Sequence, residues 1–75
     1  MSNSYVRKKA FNKIKSTILE ADDPVPFLKL SVKVYEEFGF TDIYTKKTLK
    51  LLEDAEIIEQ VEIDDKVYYK KVEEE

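Results

Sequence analysis

Phe27-Leu28-Lys29-Leu30-Ser31-Val32-Lys33-Val34-Tyr35-Glu36-Glu37-Phe38-Gly39 admits two readings, and the choice between them decides the fold. Leu28, Leu30, Val32 and Val34 alternate with Lys29, Ser31 and Lys33, as a half-buried strand would. The alternation fails at Glu36-Glu37, whereas at helical pitch Lys29, Lys33, Glu36 and Glu37 gather on one arc of about 100°. Lys33 and Glu37 then stand one turn apart as an i,i+4 pair. Gly39, the only glycine in the chain, follows where a helix needs a left-handed residue to stop. We therefore expect a helix over 27–38. Val25, ahead of Pro26, is expected to form a short extended segment.

Working back from this helix, the apolar residues Val6, Ala10, Phe11, Ile14 and Ile18 recur at spacings of three and four between Tyr5 and Ala21. They form one stripe of a first helix, with Lys8, Lys9, Asn12, Lys13 and Ser16 opposite. Ser4 is its expected N-cap, and Asp22-Asp23-Pro24 its end, since a residue before proline is pushed out of the helical region. Working forward, Thr41 and Asp42 supply a cap and a first-turn acid for a third helix running to Ala55. Its expected buried stripe is Thr45, Thr48, Leu49, Leu52 and Ala55. Lys46, Lys47 and Lys50 spread over about 100° of the opposite side, so they face outward.

From Ile57 the spacing changes to two β-type runs, Ile57 to Ile63 and Val67 to Val72, around Asp64-Asp65-Lys66. A three-residue loop over 64–66 pairs Ile63 with Val67, Val61 with Tyr69 and Glu59 with Lys71, and keeps one face apolar. Tyr68 and Tyr69 point to opposite faces, so at most one can join the core and the other is exposed. Glu73-Glu74-Glu75 reads as a frayed, solvating tail, and 1–4 as a frayed start.

The order helix, helix, helix, hairpin makes a single α+β domain over 1–75. Seventy-five residues bury only about 60% of the surface that the unfolded chain exposes, so stability is expected to be modest. With no cysteine and no histidine, the chain lacks disulfides, thiolate metal sites, cysteine nucleophiles and the usual general base. None of its acidic clusters has the spaced oxygen ligands and turning glycine of a calcium loop. We expect no enzyme activity, no cofactor and no metal. No apolar run approaches the roughly 20 residues that span a bilayer, and the first residues lack a signal peptide's apolar core, so a cytoplasmic protein with no membrane partner is expected. Charged residues make up 39% of the chain, mostly Lys and Glu, a balance that thermophile proteins favour.

The net charge of −3 hides a division. Residues 1–21 carry five basic side chains (Arg7, Lys8, Lys9, Lys13, Lys15) against Glu20, and residues 22–75 carry eight lysines against fifteen acids. Tyr44 to Lys50 holds three lysines and no acid, whereas Glu53 to Asp65 holds seven acids and no base. A polyanion is drawn to the first two windows and repelled by the last.

Thr45-Lys46-Lys47-Thr48-Leu49-Lys50-Leu51-Leu52-Glu53, followed by a short turn and Ile57-Ile58, resembles the recognition helix and first wing strand of the winged helix-turn-helix superfamily. Small archaeal and viral members of that superfamily are similar in size. The resemblance implies that 27–40 is the first helix of the turn motif, that Val61 to Val72 is the wing, and that the third helix enters a DNA groove. Two departures stand out. The position between the third helix and the wing is commonly glycine in that family, and here it is Glu56, which a positive φ would cost about 1–2 kcal/mol. The wing tip sets Glu62, Asp64 and Asp65 against Lys66, a poor match for phosphate.

If the resemblance holds, Lys46, Lys47 and Lys50 meet the major groove or its phosphates, and Tyr44 and Thr45 sit at the entering end of the helix. Lys8, Lys9 and Lys13 then flank the site. The expected partner is duplex DNA, the expected role transcription regulation, and a homodimer is expected because one short helix contacts few bases. The competing class is a protein-interaction module, an accessory subunit of a replication or transcription complex that docks through its hydrophobic edge or acidic wing. The lysine face favours the first reading and the acidity favours the second.

Overall fold

The computed structural model describes residues 3–73. Six elements follow one another: α1 (Asn3–Leu19), β1 (Val25–Pro26), α2 (Phe27–Phe38), α3 (Asp42–Asp54), β2 (Ile58–Ile63) and β3 (Lys66–Lys71). The three strands form an antiparallel sheet in the order β1-β3-β2, so the last strand lies in the middle.

The ambiguous stretch is helical over the expected residues. Gly39, left-handed at φ 76°, closes α2 by donating its N–H to the Tyr35 carbonyl at 2.9 Å. α1 begins earlier than its spacing implied: Asn3 and Ser4 lie within the helix, so Ser4 is not its N-cap. α1 also ends at Leu19, before Asp22-Asp23-Pro24. The rest of the expected tail, 74 and 75, lies outside the described residues, as do 1 and 2.

The core is built by all three helices and the sheet. Ala10, Ile14 and Ile18 of α1, Leu30 and Val34 of α2, Leu49 and Leu52 of α3, and Val25, Ile58 and Tyr69 of the sheet are buried. Taking a large apolar side chain fully out of water is worth about 1.5–3 kcal/mol, so these few positions carry most of the fold. Thr45 and Thr48 complete the buried face of α3. Ala55, expected on that stripe, is exposed, because the helix stops at Asp54 and the chain turns away. Lys33 was expected to pair with Glu37; the Glu37 carboxylate instead reaches Lys13 of α1 at 3.6 Å.

The turn that stops α3 is a Schellman motif. The Ile57 N–H donates to the Leu52 carbonyl and the Glu56 N–H to the Glu53 carbonyl, both at 2.9 Å. Glu56 takes the left-handed position at φ 62°, where glycine is commonest.

The hairpin departs from the expected register. Asp64 and Asp65, at φ 52° and 65°, form a two-residue loop with both residues left-handed, the pattern of a type I′ turn. Ile63 therefore pairs with Lys66, Val61 with Tyr68, Gln60 with Tyr69 and Glu59 with Lys70, whose side chains meet at 3.5 Å. Each face mixes polar and apolar residues as a result. The mixture is tolerated because only Ile58 and Tyr69 of the hairpin are buried, with Val67 packed in part against the core, while Asp64 and Asp65 at the tip are exposed.

Candidate nucleic-acid interface

α3 turns Thr45, Thr48, Leu49 and Leu52 inward, and Ile43, Lys46, Lys47, Lys50, Leu51 and Asp54 outward. A shallow groove flanks it on each side. Between α3, α2 and the hairpin, a floor that includes Leu28, Val32, Val67 and Tyr68 is rimmed by Lys29, Lys33, Lys46, Lys50 and Lys66, with Glu36 and Glu53 among them. Between α3 and α1 lie Arg7, Lys8 and Lys47, beside Phe11, Ile43 and Leu51. One helix thus divides a basic surface assembled from four elements.

These cations are available to a ligand. Lys50 meets Asp54 at 3.6 Å, an exposed i,i+4 pair worth about 0.3–0.5 kcal/mol, which a phosphate readily displaces. The Lys46 ammonium lies 5.8 Å from the centroid of the Phe27 ring, which fixes its stem against the start of α2. Besides Glu36, Glu53 and Asp54, which stand among these lysines, acids gather at the hairpin: Asp64 and Asp65 crown it, and Glu59 and Glu62 lie along β2, all exposed.

The expected site residues divide into four groups. Lys46, Lys47, Lys50 and Lys8 border the two grooves. Lys9 and Lys13 line neither: the Lys9 ammonium sits 5.3 Å from the Tyr5 ring centroid, and Lys13 pairs with Glu37. Thr45 is fully buried and presents nothing to a ligand; at helical pitch it lies on the same side as Leu49 and Leu52. Tyr44 is a strut. Its hydroxyl donates to the Arg7 carbonyl at 2.8 Å and its ring packs on Phe40 at 4.6 Å, which fixes the start of α3 against α1.

Lys29, Lys33 and Lys66 were not foreseen as part of the surface. Lys29 and Lys33 were legible as one arc of the second helix, but the direction in which that arc faced depended on the packing angle of α2 on α3. Tyr69, 7% exposed, has its hydroxyl's pKa raised above the usual tyrosine value, by burial first and by the nearby Glu53 carboxylate second. No group of His, Cys, Asp or Glu among the described residues is arranged to hold a metal ion. No helix among them is long and apolar enough to cross a membrane.

Three helices followed by an antiparallel ribbon, with a short strand between the first two helices, give the layout of a helix-turn-helix with a β-hairpin wing. No family model, no curated protein and no solved structure matches the chain.

Proposed function

We propose that this is a small DNA-binding protein of the winged-helix type, a transcriptional regulator that reads duplex DNA with α3. The observation that carries the reading is the collection of eight basic side chains, from α1, α2, α3 and the hairpin, around the outward face of one helix in a chain of net negative charge. A polyanion meets attraction there and repulsion at the hairpin tip, so the charge distribution sets an orientation as well as an affinity. Lys46, Lys47 and Lys50 meet the major groove and its phosphates, and Lys29, Lys33, Lys66, Arg7 and Lys8 hold the phosphates on either side. A cytoplasmic location is part of this proposal.

The test is fluorescence anisotropy with a labelled mixed-sequence duplex across a salt series. The wild type is compared with K46A/K47A/K50A and with K29A/K33A/K66A. Each phosphate contact removed flattens the logarithmic salt slope by about 0.9, so each triple variant is expected to lose about 2–3 units of slope. Absence of binding at low salt, or a slope that both variants leave unchanged, refutes the reading.

A second reading, an accessory subunit that docks on a protein of a replication or transcription complex, is favoured by the exposed acids of the hairpin. They offer a surface to an electropositive partner.

A further inference from the structure

α2 carries its charges in the wrong order for a solitary helix. Lys29 stands in its first turn, Lys33 one turn later, and Glu36 and Glu37 stand in its last. Aligned peptide dipoles leave the start of a helix positive and its end negative, so Lys29, Glu36 and Glu37 each meet the like-signed end. Lys13 of α1 answers Glu37. The same helix exposes an apolar stripe: Leu28, Val32 and Tyr35 follow one another at spacings of four and three and remain 71%, 47% and 62% exposed. Lys29 and Glu36 lie together on one flank of that stripe, about 90° round from its centre.

We infer that α2 is one half of a two-fold interface with a second copy of this chain. Antiparallel pairing centred on Val32 sets Leu28 against the partner's Tyr35. The two-fold axis runs normal to the helix pair, so it keeps the charged flanks of both helices on one side. Lys29 then comes beside the partner's Glu36, and the symmetry repeats the pair. The start of each helix lies along the end of the other, so the dipole that opposes these charges within one helix favours them across the interface. A second copy is the occupant that this charge order selects, because a single surface supplies both the charges and their answers. One helical stripe falls below the roughly 1,200 Å² typical of stable complexes, so the dimer is weak and concentration-dependent. The interface takes Leu28, Val32, Lys29 and Glu36 from the groove that the DNA reading also uses, and it is tested without nucleic acid, so its failure leaves that reading untouched.

Sedimentation equilibrium at low salt, with protein up to about 1 mM, is expected to show reversible monomer–dimer exchange in the wild type. V32E sets two carboxylates at the axis and removes the dimer. K29E and E36K each replace two attractive pairs with two repulsive ones and raise the dissociation constant by about tenfold or more. Mixed in equal amounts, K29E and E36K form the heterodimer, whose pairs are again opposite in sign. K29E carries a further signature, since it improves the charge order within its own helix: its monomer melts higher while its association weakens. Circular dichroism on each variant establishes that the fold is intact. A wild type that stays monomeric throughout, a V32E that still dimerises, or a mixture no tighter than its components overturns the inference.

Discussion

Replacing Glu56 with glycine is expected to stabilise the protein, and the amount follows from the turn that ends α3. Glu56 holds the left-handed position of a Schellman motif at φ 62°. For a residue with a Cβ that conformation costs about 1–2 kcal/mol. Glycine takes it without penalty but loses about 0.5–1 kcal/mol through its freer unfolded chain. The balance is a gain of about 1 kcal/mol, which in a domain of this size raises the melting temperature by about 4–8 °C. Two controls isolate the backbone contribution. E56A keeps the φ penalty and removes the carboxylate from the negative end of α3, so its change is expected to stay within about 0.5 kcal/mol. A55G alters the neighbouring position, where φ is −82° and no left-handed demand exists, and is expected to lose about 0.5–1 kcal/mol. Thermal and urea unfolding followed by circular dichroism measure all three. An E56G protein no more stable than E56A refutes the reasoning.

Thr45 is fully buried, and among the described residues its hydroxyl is the buried side-chain atom that lacks a hydrogen-bond partner. T45V keeps the branched shape and removes the orphaned oxygen; a gain of about 1–3 kcal/mol in urea unfolding is expected, and a loss contradicts the assignment. Tyr69 sets an alkaline limit. Its folded pKa lies above the ordinary tyrosine value of 10.0, so the stability it contributes is fully present below that pH. That contribution falls as pH rises through the folded pKa, because the buried phenolate is disfavoured by its desolvation and by Glu53. Y69F is expected to flatten the decline in melting temperature above pH 10 relative to wild type, and parallel curves for the two proteins exclude this role.

The helices were legible wherever one periodicity ran long enough to exclude the other. Glu36-Glu37 broke the strand reading of 27–38, and Gly39 marked its end. The order of the elements also followed from the switch to β-type runs after Ala55. The hairpin register did not, because sorting apolar residues onto one face assumes that the whole ribbon lies on a core. Here the ribbon lies on it only in part, and the two left-handed aspartates determine the pairing locally. Turn chemistry outweighed facial sorting. Lys46, Lys47 and Lys50 were readable as outward-facing from helical pitch alone. Their grouping with Lys29, Lys33 and Lys66 was not, because it depends on how three elements distant in sequence are oriented against each other. Thr45 shows the reverse: helical spacing set it on the buried stripe, where it lies, and the resemblance nonetheless named it at the entering end of the helix.

The position of β3 in the middle of the sheet has a consequence for synthesis. It alone bridges β1 and β2, and it also packs against α1 and α2. A nascent chain that has emitted α1, α2 and α3 still lacks the lid over Val25, Leu30 and Ile18. At about 5–20 residues per second, roughly 2–9 s pass between translation of Phe27 and of Lys71. During that interval the greasy side of α2 awaits its cover, and shielding is complete only with the final ribbon.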